Sequence, residues 1–264
     1  MKFSKTHISL FAFIIISFYI IFSNFKFFPH QIICYDVYGY YMYLPQKFIY
    51  DDIPLQNVEQ TKALLEKYEN SSTFYQAFPH ENGNYIYKYS MGMAIMYSPA
   101  FFTAHALSST FGYTADGYSY PYQLALLIWG IIITITAIWI LRKILLHFFN
   151  DITTTITLVL IVAATNIPIH TAMYGQNAMS HNYLLLLYAL AIWFTIKWHE
   201  SKKISQIIIL GIASGLAILS RPTEIVILLF PALWNVYNFK TLKDKLALVW
   251  SKKFQIILFS FIIM

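Results

Sequence analysis

Charge is what this sequence has least of: 11% of its 264 residues are Asp, Glu, Lys or Arg, against 58% apolar or aromatic. A soluble domain carries about 25% charged residues. So few charges cannot cover so much apolar surface, and the mean hydropathy is +0.55. A soluble enzyme is excluded, and an integral membrane protein remains. Cysteine is almost absent too. Cys34 stands alone, which excludes an intramolecular disulfide and a cysteine-based zinc site. There is no glycine-rich phosphate loop, no His-Glu-x-x-His and no Gly-x-Ser-x-Gly. Internal repeats, Gly/Ser linkers and low-complexity tracts are missing as well. The net charge of +6 lies in short clusters between apolar runs, a pattern that points to membrane topology and away from nucleic acid.

What the chain does have is apolar runs of membrane length, about 17–25 residues for a helix. The first is Ile8–Ser23; no small-x-small cleavage site follows it, so it reads as a retained anchor rather than a signal peptide. Tyr122–Leu141, Ile152–Ile169, Tyr183–Ile196, Ile204–Leu219 and Ile225–Val236 follow, and Phe254–Met264 is an incomplete run that reads as the start of a longer protein's next helix. Basic clusters at Lys2/Lys5, Arg142/Lys143, Lys197/Lys202/Lys203 and Lys240–Lys253 alternate with basic-poor loops, as a serpentine chain with a cytoplasmic N-terminus requires. Met91–Leu107 breaks the count. A full crossing there would put Arg142 and Lys143 outside, so residues 91–108 are expected to form an interfacial or re-entrant segment, broken near Pro99; a true span that violates the charge rule is the alternative. The fold expected is an all-α polytopic bundle, one membrane domain over 1–264.

Residues 24–90 form the one sizeable polar loop and hold seven of the 12 acids. Asp52-Ile53-Pro54 resembles a helix start, and Leu55, Val58, Leu65 and Tyr68 recur near helical spacing, which predicts an amphipathic helix over Leu55–Tyr68. It would lie along the membrane surface or pack on its own loop.

Few residues can carry chemistry. Asp36 lies in Cys34-Tyr35-Asp36-Val37-Tyr38-Gly39-Tyr40-Tyr41, where an acid among aromatics is a candidate general base and Tyr40 and Tyr41 are candidate platforms for a sugar ring; an interfacial aromatic belt with an incidental acid is the other reading. Lys88, where the loop returns to the membrane, could hold a phosphate or snorkel to lipid headgroups. Arg221 ends a small-residue helix against the usual charge bias, suited to phosphate or to a structural pair with Glu224. Asn177 and His181 lie in a polar turn, Gly175–Asn182, that could bind hydroxyls. The spacing of His170 and His181 is not that of a metal site, and neither a metal nor a cofactor is expected.

Together these residues resemble the membrane glycosyltransferases of the GT-C fold, in the branch of protein O-mannosyltransferases and lipid A aminoarabinose transferases. The likeness rests on one helix followed by an acid (Asp36), on juxtamembrane helices and on a returning Lys88-Tyr89-Ser90-Met91-Gly92. It also rests on Gly117-Tyr118-Ser119-Tyr120-Pro121-Tyr122 and on Gly-Leu-Ala followed by Arg221-Pro222. The resemblance implies sugar transfer from a polyprenyl-phosphate donor to a lipid, glycan or protein acceptor at the outer face of a bacterial plasma membrane. Asp36 would be the base, and Lys88 and Arg221 would hold the phosphate. Some members have an acidic pair; Asp51 or Asp52 could supply the second acid here. A lipid-linked sugar flippase or small-solute transporter, and a non-catalytic scaffold, are the competing classes.

Overall fold

The computed structural model describes residues 7–26, 31–172 and 176–264, with backbone alone for 170–172. Lys2, Lys5, Gly175 and the side chain of His170 therefore lie outside the described residues. Apart from one two-stranded ribbon, the regular structure described is helical.

Helix α1, His7–Lys26, buries Ser9, Ile16, Ile20 and Ser23 along one stripe and exposes Phe11, Ile15, Phe18 and Phe22 on the other. Its C-terminal side leads into the polar loop, which folds as α2 (Tyr35–Tyr41), α3 (Tyr43–Phe48), α4 (Val58–Lys67) and a hairpin of β1 (Ala77–Pro79) and β2 (Tyr85–Tyr87). The amphipathic helix begins later than its hydrophobic spacing predicts. Asp52 takes the backbone N–H groups of Gln56 and Asn57 (2.8 and 2.9 Å), closing a turn, and Asn57 caps the helix proper at Gln60. Leu55, expected on the helix, sits in that turn with a positive φ and is fully buried.

Next comes α5, Gly92–Ser108, which runs unbroken through Pro99. The break expected there does not form: a proline costs only the bond to the residue four before it, and the rest of the helix is held by packing on α6. Helix α6, Tyr120–Phe148, has 29 residues, about 43 Å at 1.5 Å per residue. Pro121 opens it, where a missing N–H costs nothing. Helix α5 lies beside the first part of α6, with the Trp129 indole donating to the Met96 carbonyl (2.8 Å) and the His105 ring 2.6 Å from the Tyr122 hydroxyl.

The run Ile152–Ile169 is not one helix. It divides into α7 (Asp151–Ala163) and α8 (Ile167–Ala172), because Pro168 has no N–H to donate to the preceding turn. Helices α9 (Ser180–Ser201) and α10 (Ile204–Ser220) form a tight antiparallel pair about a left-handed Lys202. Ile225–Val236 also fails to form a single span: a 3-10 segment, Pro222–Leu228, leads to the short α11 (Leu229–Leu233). The basic stretch after it is helical, α12 (Phe239–Ser251), opened by a capping box between Asn238 and Thr241. Helix α13 (Lys253–Ile263) turns away from it by 83°. Among the described residues, α1 and α6 are long and apolar enough to cross a bilayer, and the bent α12–α13 pair would make a third.

The two ends of α6 differ in chemistry. At its C-terminal end Arg142 donates to Ser9 (3.0 Å), Asp151 accepts from the Ile8 and Ser9 backbone, and His147 faces Glu200 across to the α9–α10 turn. At its N-terminal end Gln123 takes the Ile32 and Ile33 N–H groups (2.7 and 2.8 Å), while Tyr41 and Tyr50 donate to the carbonyls of Gly117 and Asp116. The polar loop is thereby bolted to one end of the bundle and the basic clusters 142–143 and 197–203 gather at the other. Between loop and bundle sits an aromatic core of Tyr38, Tyr41, Tyr97, Phe101, Tyr118 and Tyr122.

Candidate active site

Asp36 occupies the first turn of α2, with Cys34 as the preceding cap residue. Its Oδ1 accepts two phenol hydrogen bonds, from Tyr75 at 2.7 Å and from Tyr89 at shorter range. The hairpin explains this pairing. Its register sets Ala77 opposite Tyr87, and the ladder continues through Lys88 N–H to the Gln76 carbonyl (2.9 Å), which brings Tyr75 opposite Tyr89. The Gln76 side chain donates in turn to the Tyr35 carbonyl (3.2 Å), anchoring the strand to α2. Burial, then the hydrogen bond to Asp36, raises the Tyr75 phenol to about 12, and the same causes raise Tyr89 further. Both phenols stay protonated donors at neutral pH.

Lys88 joins the same group. Its exposed ammonium lies 4.7 Å from the Tyr75 ring centroid and 5.3 Å from that of Tyr89, within cation–π range of both. Four residues on, Gly92 begins α5 against the end of α10: a Cβ there would lie 2.4 Å from the Ser220 nitrogen. That close approach sets Arg221 near the returning segment, since the four residues from Lys88 to Gly92 reach at most about 14 Å. Arg221 donates to Ser180 at the start of α9 (2.7 Å). Its expected alternative partner, Glu224, accepts instead from Tyr188 (2.5 Å) and forms no ion pair with it. His181, next to Ser180, is exposed.

Other candidates have structural employment. Asn177 is buried, donating to the Leu127 carbonyl (2.8 Å) and packing on Gly130. Tyr41 is spent on Gly117, and Tyr40 is buried with its ring 4.6 Å from that of Tyr89. Asp51 pairs with Lys47 at the surface (3.5 Å) and Asp52 closes its own turn, so neither acid touches Asp36. Sequence reasoning missed Tyr75 and Tyr89. The signal was Asn82-Gly83 between two aromatic-bearing runs, Phe74–Phe78 and Tyr85–Tyr89, a hairpin pattern whose register, with Tyr75 opposite Tyr89, is fixed by the three-residue loop 81–83 of the structure.

A helical bundle with membrane-length apolar helices and a polar loop packed on one end is a membrane-embedded protein. The sequence model of the dolichyl-phosphate-mannose-protein mannosyltransferase family matches residues 122–264, more than half of the chain. The chain belongs to that family, and is a glycosyltransferase of the GT-C type. No curated protein and no solved structure matches it. The matched region contains Asn177, His181 and Arg221, whereas Asp36, Lys88 and the hairpin precede it.

Proposed function

We propose that the chain transfers a sugar from a polyprenyl-phosphate donor to an acceptor hydroxyl at the outer face of the membrane, with Asp36 as general base. The observation that carries this reading is the arrangement at Asp36: Oδ1 is held by two phenols, while Oδ2 accepts no hydrogen bond among the described residues. A carboxylate fixed by one oxygen presents the other to a substrate. In the reaction the acceptor oxygen attacks the anomeric carbon as its proton passes to Asp36 Oδ2. The bond from the anomeric carbon to the phosphate oxygen breaks, and polyprenyl phosphate leaves with the electron pair. Lys88 and Arg221 are the cations suited to that phosphate, and His181, next to the Ser180 that Arg221 bonds, is the residue assigned to donor hydroxyls. The gathering of basic clusters at the end of α6 away from the loop supports a cytoplasmic N-terminus, with residues 91–108 as an interfacial segment that returns to the outer side.

Asp36→Asn keeps shape and polarity but cannot take a proton. Loss of a general base costs about 10²–10⁴ in rate, so transfer from a radiolabelled polyprenyl-phosphate sugar should collapse at unchanged expression and donor affinity. Near-normal transfer by this variant would remove Asp36 from the mechanism.

A further inference from the structure

Helix α12 lies across the bundle rather than along it. Helix α13 supplies the reference direction. The Gln255 amide donates to the Lys202 carbonyl in the α9–α10 turn (3.0 Å), a Cβ on Gly211 would touch Phe259 and Ile262, and one on Gly215 would touch Ile262 and Ile263. Helix α13 therefore starts at that turn and runs beside α10, and α12 meets it at 83°, too sharp a bend for the two to make one straight crossing. A second set of contacts agrees. The buried Lys245 ammonium, midway along α12, meets His199 Nε2 and donates to the Pro231 carbonyl, both at 2.6 Å. Gln255, just past α12, accepts from the Trp198 indole (2.7 Å). The middle of α12 and the chain beyond its end thus reach the same last turn of α9, which keeps α12 at the level of the α9–α10 turn.

The three faces of α12 differ. Lys245 and Leu248 are used on the bundle. Phe239, Leu242, Leu246 and Trp250 recur every three or four residues as a second face, 37–76% exposed. Lys240, Lys243, Asp244 and Ser251 are exposed on the third. Lysines border the apolar row: the Lys243 ammonium lies 5.0 Å from the Phe239 ring centroid, and that of Lys253 lies 5.5 Å from the Trp250 ring centroid. Among the described residues, Lys202, Lys203, Lys240, Lys243, Lys252 and Lys253 form no ion pair, and Asp244 is the one acid on α12. A dissolved anion would answer these cations and leave the apolar row in water. A phospholipid meets both, because its phosphate and its acyl chains are adjacent.

We propose that α12 is an interfacial helix, seated in the headgroup layer at the basic end of the bundle, and that it selects anionic phospholipid. Its apolar row enters the acyl chains, and the bordering lysines extend to the phosphates. This surface lies at the end of the bundle away from the polar loop and is independent of Asp36.

Spin labels on single cysteines test it, in the full chain with a Cys34→Ser background, in vesicles of phosphatidylcholine and phosphatidylglycerol in equal amounts. The label on Leu246→Cys should relax with oxygen, which concentrates among acyl chains, and the label on Ala247→Cys with a water-soluble nickel chelate. A Leu246→Cys label reached by the chelate would put the row in water, and one shielded from both reagents would put it under polypeptide; either overturns the interfacial helix. Selection is read on unlabelled protein from the immobilised fractions of spin-labelled phosphatidylglycerol and phosphatidylcholine. Phosphatidylglycerol should be preferred. The combined variant Lys240→Gln, Lys243→Gln, Lys253→Gln should lower that preference by about fivefold or more, since one lysine near an anionic surface contributes about that factor. Its far-UV circular dichroism should be unchanged, because all three side chains are exposed. Equal preference in wild type and variant removes the selection of anionic lipid.

Discussion

The ring of Tyr89 lies against Gly39, so close that a Cβ at position 39 would stand 2.3 Å from its Cδ2. Gly39 follows Asp36 by one helical turn and shares its face of α2. Tyr89 therefore reaches the carboxylate by crossing the one residue of that face without a side chain. Replacing glycine by alanine inside a helix ordinarily stabilises by about 1 kcal/mol. Here Gly39→Ala should instead destabilise by about 1–3 kcal/mol through overpacking, and displacing Tyr89 should reduce transfer about ten- to a hundredfold. Tyr89→Phe, which keeps the ring, should lose activity with little change in melting temperature. A stabilised, fully active Gly39→Ala protein would contradict this geometry.

Alkaline pH should loosen the loop before the bundle. Burial, and then its bond to Asp36, raises Tyr75 from 10.0 to about 12, and burial also raises Tyr43, Tyr50, Tyr68 and Tyr89. A group whose folded pKa exceeds its unfolded value contributes stability that is complete below the unfolded value and is lost as pH rises through the folded one. For Tyr75 that window runs from pH 10 to about 12. Denaturation followed by tyrosinate absorbance should show stability falling across it, less steeply in Tyr75→Phe. An unchanged slope in that variant would remove Tyr75 as a contributor.

Arg221 holds Ser180 through one guanidinium nitrogen, Nη2, at 2.7 Å. If the rest of its fork takes the donor phosphate, Arg221→Lys keeps the charge but loses the paired geometry. A charge-assisted hydrogen bond is worth about 1.5–3 kcal/mol, so apparent donor affinity should fall about ten- to a hundredfold. Ser180→Ala should cost less, since it frees the arginine without removing it. Equal donor titration curves for wild type and Arg221→Lys would return the residue to a purely structural role.

Orientation is open to a direct reading. Asn82 at the hairpin tip, Thr114 before α6 and Ser201 in the α9–α10 turn are all exposed. In a Cys34→Ser background, Asn82→Cys and Thr114→Cys should react with an impermeant thiol reagent applied from outside, whereas Ser201→Cys should react only after permeabilisation. Protection of Thr114→Cys together with labelling of Asn82→Cys would make α5 a full crossing.

Composition alone determined that this is a helical membrane protein, because 11% charge and long apolar runs admit no other solvent. The apolar runs located α1 and α10 to within three residues at each end and α9 to within five, since helical runs of that length are local in sequence, whereas α6 continues seven residues past the end of its run at Leu141. Asp36 and Lys88 were legible as candidate polar groups, but their meeting around Tyr75 and Tyr89 was not. It depends on a hairpin register that sets Tyr75 across from Tyr89, and on a missing side chain at Gly39 that lets one ring through. The divided runs at 152–169 and 225–236 were illegible for a related reason: hydropathy counts apolar residues but does not see where the backbone breaks, at 164–166 in the first and between the 3-10 segment and α11 in the second. Which candidate polar residues are engaged in packing was likewise decided in three dimensions. Asn177, Tyr41 and Asp52 look like site residues by type and become structural once their partners, Leu127, Gly117 and the Gln56–Asn57 turn, are brought to them. The partners of Asn177 and Tyr41 lie 50 and 76 residues away along the chain, a separation that only folding closes.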